Sequence, residues 1–333
     1  MSKKLILLLA SLISLLFVSV VWQVAEIQIY SVAEQLKAGI FGSPFNQTTV
    51  RDEQNIPMQL YNNGEKHYNP LFIASEALKA NDRRKLGADS DVFITLTNKL
   101  LSQIVLRDSL AFLSYDFDYP KYNQKAPWAS ALTQSVGMNA LAARAGMDRD
   151  LQTLTIAEKM LNSLKPGKGG LSFALSDSST WFMEYPADEP YYSLSGMMST
   201  LLHLHKYYEL TRNPLAMELF EAGFSALKSK LPEFDYHGYS YYNLAGDKAG
   251  RMYHKRHIML LSKLMELKQD PVLRAYRERW QRADSYPVIW QMLLNPRPRR
   301  IAAFMLSFLA LAALLYLLLA WSHRSGKIDP EHS

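Results

Sequence analysis

The chain has no cysteine in its 333 residues. Disulfides, zinc–thiolate sites and thiol catalysis are therefore excluded, and the redox compartment is not legible. There is no low-complexity segment and no strict internal repeat. No long basic run stands in the body of the chain, so a nucleic-acid partner finds no support. Charge of either sign is modest: 37 Lys+Arg stand against 31 Asp+Glu, a net +6 that is spread out. That balance suits an acidic polysaccharide or an anionic membrane surface. What the chain has in quantity is apolar and aromatic, with 48% hydrophobic residues and 19 tyrosines. With 20% charged residues the composition is globular, and the length allows one domain of about 250 residues plus extras.

Both ends read as transmembrane. Leu5 to Val24 is a nearly uninterrupted apolar run behind Lys3 and Lys4. Ile301 to Ala320 is a second, preceded by Arg297, Arg299 and Arg300 and followed by Arg324 and Lys327. Roughly 20 apolar residues cross a bilayer core as a helix. No small-x-small cleavage pattern closes the first run, and Trp22 and Gln23 stand where one is expected, so it is read as an uncleaved anchor rather than a signal peptide. Lys3 and Lys4 place the N-terminus inside. Two spans then return the C-terminus inside and put residues 25–296 outside, an inner-membrane protein with a periplasmic domain. The arginines before the second span oppose this orientation and Arg324 and Lys327 support it; long translocated domains escape the charge rule more readily than short loops.

Residues 25–66 read as a connector, with a short helical pattern from Val32 to Ala38 and the turn formers Gly42-Ser43-Pro44 and Asn62-Asn63-Gly64. Residues 67–290 read as one helical domain, 301–320 as the second span and 321–333 as a short polar tail. Asn69-Pro70 opens a helix to about Ala80, and Ser90-Asp91 caps another to about Val105. Three helix pairs follow: Ser130 to Ala145 with Asp148 to Leu164 around Gly146, Ser193 to Leu210 with Pro214 to Lys230, and Arg256 to Lys268 with Pro271 to Ala283. Leu194, Met197, Leu201, Leu204 and Tyr208 recur at helical spacing, so the methionines read as core. Short extended stretches, Leu171 to Glu184 and Phe234 to Leu244, separate the pairs. The expected fold class is mainly α: an α/α toroid-like helix-hairpin domain with short β-hairpins, flanked by two transmembrane helices.

The chemistry-bearing segment is residues 181–257. It opens with Trp181-Phe182-Met183-Glu184-Tyr185-Pro186 and closes with Tyr253-His254-Lys255-Arg256-His257-Ile258. Between them stand Leu231-Pro232-Glu233-Phe234-Asp235 and Tyr242-Asn243-Leu244-Ala245. This ordered constellation resembles the C-terminal domain of the D-glucuronyl C5-epimerases, which act on heparan-type glycans. Those proteins carry, in this order, Trp-Phe-x-Glu-Tyr-Pro, Leu-Pro-x-Tyr-Asp, Tyr-Asp-Leu-Arg and Tyr-His-x-x-His-Ile. Upstream, Trp128-Ala129-Ser130-Ala131-Leu132-Thr133-Gln134 looks like the family's Trp-x-Ser-Ala-x-x-Gln-Gly motif, with Ser135 in place of the glycine. The resemblance covers residues 110–283 and implies an α/α toroid with its cleft at one end of the helices, in a membrane-anchored form of bacterial type. Animal members carry a β-rich N-terminal region that adds tyrosines to the cleft; this chain has no room for it.

The resemblance implies proton transfer at C5 of a uronic acid. That proton is α to a carboxylate, so its removal gives an enediolate, and reprotonation from the opposite face inverts the sugar. An acid/base group on each face and a clamp for the carboxylate suffice; no cofactor and no metal are expected. Unperturbed tyrosine titrates at about 10 and glutamate at about 4.3. Burial raises the glutamate and nearby cations lower the tyrosine, so both are expected to move toward the operating pH. The implied catalytic residues are Glu184, Tyr185, Tyr242 and Tyr253. Arg251, Lys255 and Arg256 lie near Tyr253 in sequence, to hold a carboxylate or to form a solvated cationic face. Ala245 stands where the family has the uronate-binding arginine, and Arg251 is the expected substitute. Trp128, Gln134 and Asn243 are further candidates for sugar binding. His254 and His257, three apart, read as orienting tyrosines or bonding sugar hydroxyls, because no third metal ligand is signalled. His203 and His205 read as structural. The expected partners are an acidic polysaccharide, the lipid bilayer and other polysaccharide-assembly proteins. Three activities fit: an epimerase, a lyase that expels the C4 oxygen from the same carbanion, and a non-catalytic glycan-binding subunit of a synthesis or export complex.

Overall fold

The first apolar run lies within one long helix, α1 (Lys3–Phe41). The computed structural model describes residues 2–41, 48–61 and 64–325. The turn formers Gly42, Ser43, Pro44, Asn62 and Asn63, together with Lys327 and most of the polar tail, lie outside them. The chain divides into two units, one of residues 37–280 and one of residues 1–36 with 281–333.

In the larger unit, the stretch read as a connector holds a three-stranded antiparallel sheet of β1 (Thr48–Arg51), β2 (Pro57–Leu60) and β3 (Lys66–His67), in the order β1-β2-β3. Its strands are too short for an alternating pattern to register in the sequence. Asn69 then starts α2 (Pro70–Arg84): its side-chain oxygen accepts from the N–H groups of Leu71 and Phe72, satisfying two of the donors a helix start leaves open. α3 (Ser90–Ser102) returns along it. A second sheet, β4 (Ile104–Arg107), β5 (Leu110–Tyr115) and β6 (Trp128–Ala129), leads into α4 (Ala131–Asp148). Gly146 lies inside α4 rather than between two helices. The break falls at Arg149, in the left-handed conformation at φ 55°, and Asp150 caps α5 (Leu151–Asn162). The hairpin β7 (Ser172–Ser176) and β8 (Ser179–Phe182) precedes α6 (Leu194–Thr211) and α7 (Pro214–Lys230). A tight hairpin, β9 (Asp235–Tyr236) with β10 (Tyr239–Ser240), precedes α8 (Arg251–Leu267) and α9 (Pro271–Ser285).

Helix α2 packs on α4, α4 on α6 and α6 on α8, while α3, α5 and α7 pack on α2, α4 and α6. An inner row of parallel helices is thus backed by an outer row of returning ones, the hairpin layering read from the periodicity. The unit is mainly helical with short β-hairpins. Met197, Leu201 and Leu204 are fully buried in the core with Trp181, Phe182 and Phe234. Each such side chain contributes roughly 1.5–3 kcal/mol by leaving water. The close approach of α7 requires Gly223, where a Cβ would stand 2.7 Å from the Phe182 ring and meet Leu201.

In the smaller unit, α1 packs with α10 (Val288–Leu294) and α11 (Pro298–Ser325) through Val18, Trp22, Val288, Met292 and Phe304. Arg300 Nη2 donates to Glu26 Oε2 at 2.7 Å and to Gln291 Oε1 at 2.9 Å, and both members of the ion pair are buried. Lys3–Lys37 and Pro298–His323 are long and apolar enough to cross a membrane, by length and composition.

Candidate active site

The N-terminal ends of the four inner helices meet one cavity of about 550 Å³ in the larger unit. Asn69, Leu71 and Phe72 come from the start of α2, Ser130 and Leu132 from that of α4, Ser195 from α6, and Gly250, Tyr253 and Arg256 from α8. Helix N-termini carry unpaired N–H groups and partial positive charge, so this end of the row favours anions.

Glu184 follows β8 after one residue, Met183, whose N–H and carbonyl are both bonded to neighbouring backbone. Met183 N–H donates to Leu171 O at 2.8 Å, and Ala131 N–H, at the start of α4, donates to Met183 O at 2.9 Å. The carboxylate lies against the first turn of α6. The Ser193 hydroxyl donates to Glu184 Oε2, and Gly196 leaves the space it occupies. A Cβ on Gly196 would stand 2.6 Å from Glu184 Oε2 and 2.7 Å from its Cβ. Burial raises the Glu184 carboxyl above its ordinary range; hydrogen bonds from Ser193 and Tyr185, the charge of Arg256 and a hydrogen bond from Tyr242 pull the other way with less effect.

Tyr242 lies beyond the β9–β10 hairpin, where its carbonyl accepts from Leu194 N–H at 3.0 Å, tying it to the start of α6. Its ring meets Tyr253 edge-on, centroids 4.8 Å apart. Tyr185 stacks on Tyr122 at 3.8 Å, and Tyr119 and Trp128 continue the aromatic wall toward Tyr115, whose ring stacks on Trp128 at 4.0 Å. Burial lifts the hydroxyls of Tyr185, Tyr242 and Tyr253 above the usual tyrosine range, and the neighbouring Glu184 charge is the second cause for each. The expectation that cations lower the tyrosine is therefore reversed. Arg256 and Lys121 do pull Tyr253 down, but burial and Glu184 outweigh them.

Glu184, Tyr185, Tyr242, Tyr253 and Trp128 thus line one cavity. The other five predicted residues lie elsewhere. Gln134 is fully buried and stitches α4 to β5, accepting from Leu113 N–H and donating to Ala111 O and the Ser163 hydroxyl. Asn243 is buried and holds the Asp247 turn. Arg251 is outside the lining, at the first position of α8. His254 and His257 are buried behind the site, both on the Ser240 hydroxyl, at 3.0 and 2.8 Å. Burial drives the His257 imidazole down to about 3, which keeps it neutral. Sugar contact is not supported by those positions. Sequence reasoning missed Gln59 of β2 and Tyr61 just past it, the aromatics Phe117, Tyr119 and Tyr122, and the lysines Lys121 and Lys248. The wall expected to be absent is partly supplied by that small sheet. The tyrosine density around 115–122 was the one available signal. Among the described residues, no group of three or more histidines, aspartates or glutamates is placed to hold a metal ion.

Residues 107–282, just over half of the chain, match the family model of the D-glucuronyl C5-epimerase C-terminus. The chain belongs to this family. An uncharacterized protein of Methanocaldococcus jannaschii is 28% identical over 172 residues, covering 50% of this chain and 56% of that protein. The D-glucuronyl C5-epimerase of Caenorhabditis elegans is 28% identical over 177 residues, covering 46% of this chain and 28% of that protein. The matches therefore span little more than half of the first relative and under a third of the second. Among solved structures, the GH76 α-mannanase of Bacteroides thetaiotaomicron superposes with a TM-score of 0.43 and 10% identity, covering 79% of this chain and 72% of that one.

Proposed function

We propose that the chain is a membrane-anchored C5-epimerase acting on uronic acid residues of an acidic polysaccharide. The observation that carries this reading is the meeting of a Glu184 carboxyl of raised pKa with the hydroxyls of Tyr185 and Tyr242, and with Tyr253 beside them, in one aromatic-walled cavity. A carboxylate moved toward neutrality is a better base, and a buried tyrosine kept neutral is a proton donor. Glu184 takes the C5 proton, and the electron pair left on C5 delocalises into the substrate carboxylate as an enediolate. The Tyr253 hydroxyl returns a proton to the opposite face, and the pair rehybridises into the new C5–H bond. Tyr242, hydrogen-bonded to Glu184 and edge-on to Tyr253, passes the proton from Glu184 back to Tyr253 and resets the site. The clamp for the substrate carboxylate is Arg256 rather than Arg251. Arg256 lines the cavity and acts electrostatically on Glu184 and Tyr253. Ala245 is exposed, outside the cavity lining. The aromatic wall suits the apolar faces of sugar rings, and α1 and α11 serve as the two spans that hold the domain at the periplasmic face of an inner membrane.

The test is solvent exchange with a uronic acid polymer in heavy water. The expected result is deuterium at C5 without chain cleavage, lost in Glu184→Gln and in Tyr253→Phe, each by at least about 10²-fold. Unchanged exchange in both variants refutes the assignment. Absorbance of an unsaturated uronate makes the protein a lyase, and wild-type binding without exchange makes it a glycan-binding subunit.

A further inference from the structure

Helix α10 in the smaller unit presents two unlike faces. Val288, Gln291 and Met292 are buried against α1 and α11. The opposite stripe, Ile289, Trp290 and Leu293, is 40%, 59% and 66% exposed. Scattered apolar residues on a surface need no explanation, but a contiguous stripe on one ordered helix calls for a partner.

The surroundings of α10 say what that partner is. Its buried face rests on Trp22 near the end of the first apolar run and on Phe304 near the beginning of the second. Just beyond these lies the buried Glu26–Arg300 pair, with Gln291 of α10 itself as a third member. Helix α10 therefore sits at the level where both runs give way to polar residues. Tryptophan concentrates at that level in membrane proteins, its ring among headgroups and its apolar edge toward the acyl chains. Arg299 is exposed two positions before the second apolar run begins, placed to meet phosphate. An apolar stripe followed closely in the chain by an exposed cation fits a helix lying in a bilayer interface.

We infer that α10 is an interfacial helix, with Ile289, Trp290 and Leu293 inserted at the acyl-chain boundary and Arg299 on anionic lipid headgroups. The partner is lipid rather than another protein. This rests on the reading of α1 and α11 as spans.

The absence of native cysteine makes the test direct. Single-cysteine variants Trp290→Cys and Leu293→Cys of the full chain carry a nitroxide in nanodiscs of phosphatidylcholine with phosphatidylglycerol. Leu309→Cys on α11 reports the span, and the exposed Leu151→Cys on α5 reports water. Labels at 290 and 293 are expected to lose collisions with a water-soluble nickel chelate and gain them with oxygen relative to 151, at shallower depth than 309. Removing phosphatidylglycerol, or introducing Arg299→Gln, moves them outward. All these positions are exposed, and unchanged melting of the labelled variants confirms the fold. If 290 and 293 are as open to the chelate as 151 while 309 is embedded, the interfacial helix is refuted and a protein partner takes its place. If 309 is itself open to the chelate, the spans fail and the inference with them. Labels that ignore both lipid charge and Arg299→Gln refute the headgroup contact.

Discussion

The fit between Gly196 and Glu184 gives the sharpest prediction. Replacing Gly196 with alanine puts a Cβ 2.6 Å from Glu184 Oε2, 2.7 Å from its Cβ and 3.1 Å from its Cδ. Carbon contacts are comfortable at about 3.5–4.0 Å, so the carboxylate must retreat by about 1 Å from the turn of α6. Two opposing effects set the stability. Alanine within a helix gains about 0.5–1 kcal/mol over glycine, while overpacking costs about 1–3 kcal/mol. The net loss is expected at about 0–2.5 kcal/mol, small enough to leave a folded protein. Activity is more sensitive: a misplacement of about 1 Å costs on the order of 10²-fold. The Ser193 hydroxyl bond and the approach to Tyr242 are lost together. The assay is C5 deuterium exchange beside a thermal melt, with Gly146→Ala as the control. Gly146 has nothing within 4 Å of its would-be Cβ, so that variant should melt slightly higher and exchange normally. A Gly196→Ala protein that exchanges at the wild-type rate would refute the placement of Glu184 as the working base.

Further expectations concern charge. His257 is buried and neutral, with its pKa at about 3 in the folded state against about 6.5 when unfolded. The unfolded chain binds the proton first, so stability is complete above pH about 6.5 and falls as pH drops toward 3, by up to about 1.4 kcal/mol per unit. Chemical denaturation across that window measures it, and His257→Gln should flatten the slope. Because burial raises Glu184, the acid limb of the kcat/KM profile should lie above the ordinary carboxylate range; a limb at or below about 4 would contradict that. Arg256→Gln should raise KM for an acidic polymer more than it lowers kcat, by about 10-fold or more for a lost charged hydrogen bond; unaltered KM would place the clamp elsewhere. Glu26→Gln leaves Arg300 buried without its counter-charge and should cost about 3–5 kcal/mol in detergent or bilayer unfolding.

The helices were the legible part, and for local reasons. Asn69 and Asn213 cap α2 and α7 with their own side chains, and prolines stand at the first helical positions of both. The expected span Pro214 to Lys230 coincides with α7. Helix α8 starts five residues before the expected Arg256, since Gly250 opens it without a side-chain cap that a sequence would advertise. The sheets of two- to six-residue strands were legible only where they flank the motif. Within the site, the order of Glu184, Tyr242 and Tyr253 was plain, while Gln59 and Tyr61 carried no signal, because Gln59 stands in a four-residue strand with Tyr61 just past its end, and both lie far off along the chain.

The kinds of groups available, the helix periodicity, the two apolar runs and the motif order that marks the family could all be read along the chain. These are properties of neighbouring residues. Which groups meet depended on how distant elements pack. On α8, Tyr253 and Arg256 are three apart and face the cavity, while His254 and His257, one position round, face the core. A rotation of about 100° per residue separates cavity-lining groups from buried ones, and the direction in which a helix presents its faces is set by what packs against it. The tertiary structure likewise decided the sign of the tyrosine shifts. Lysines and arginines close in sequence promised lowered pKa values, but enclosure and a carboxylate brought from another element prevail, because desolvation depends on everything that surrounds a group in space.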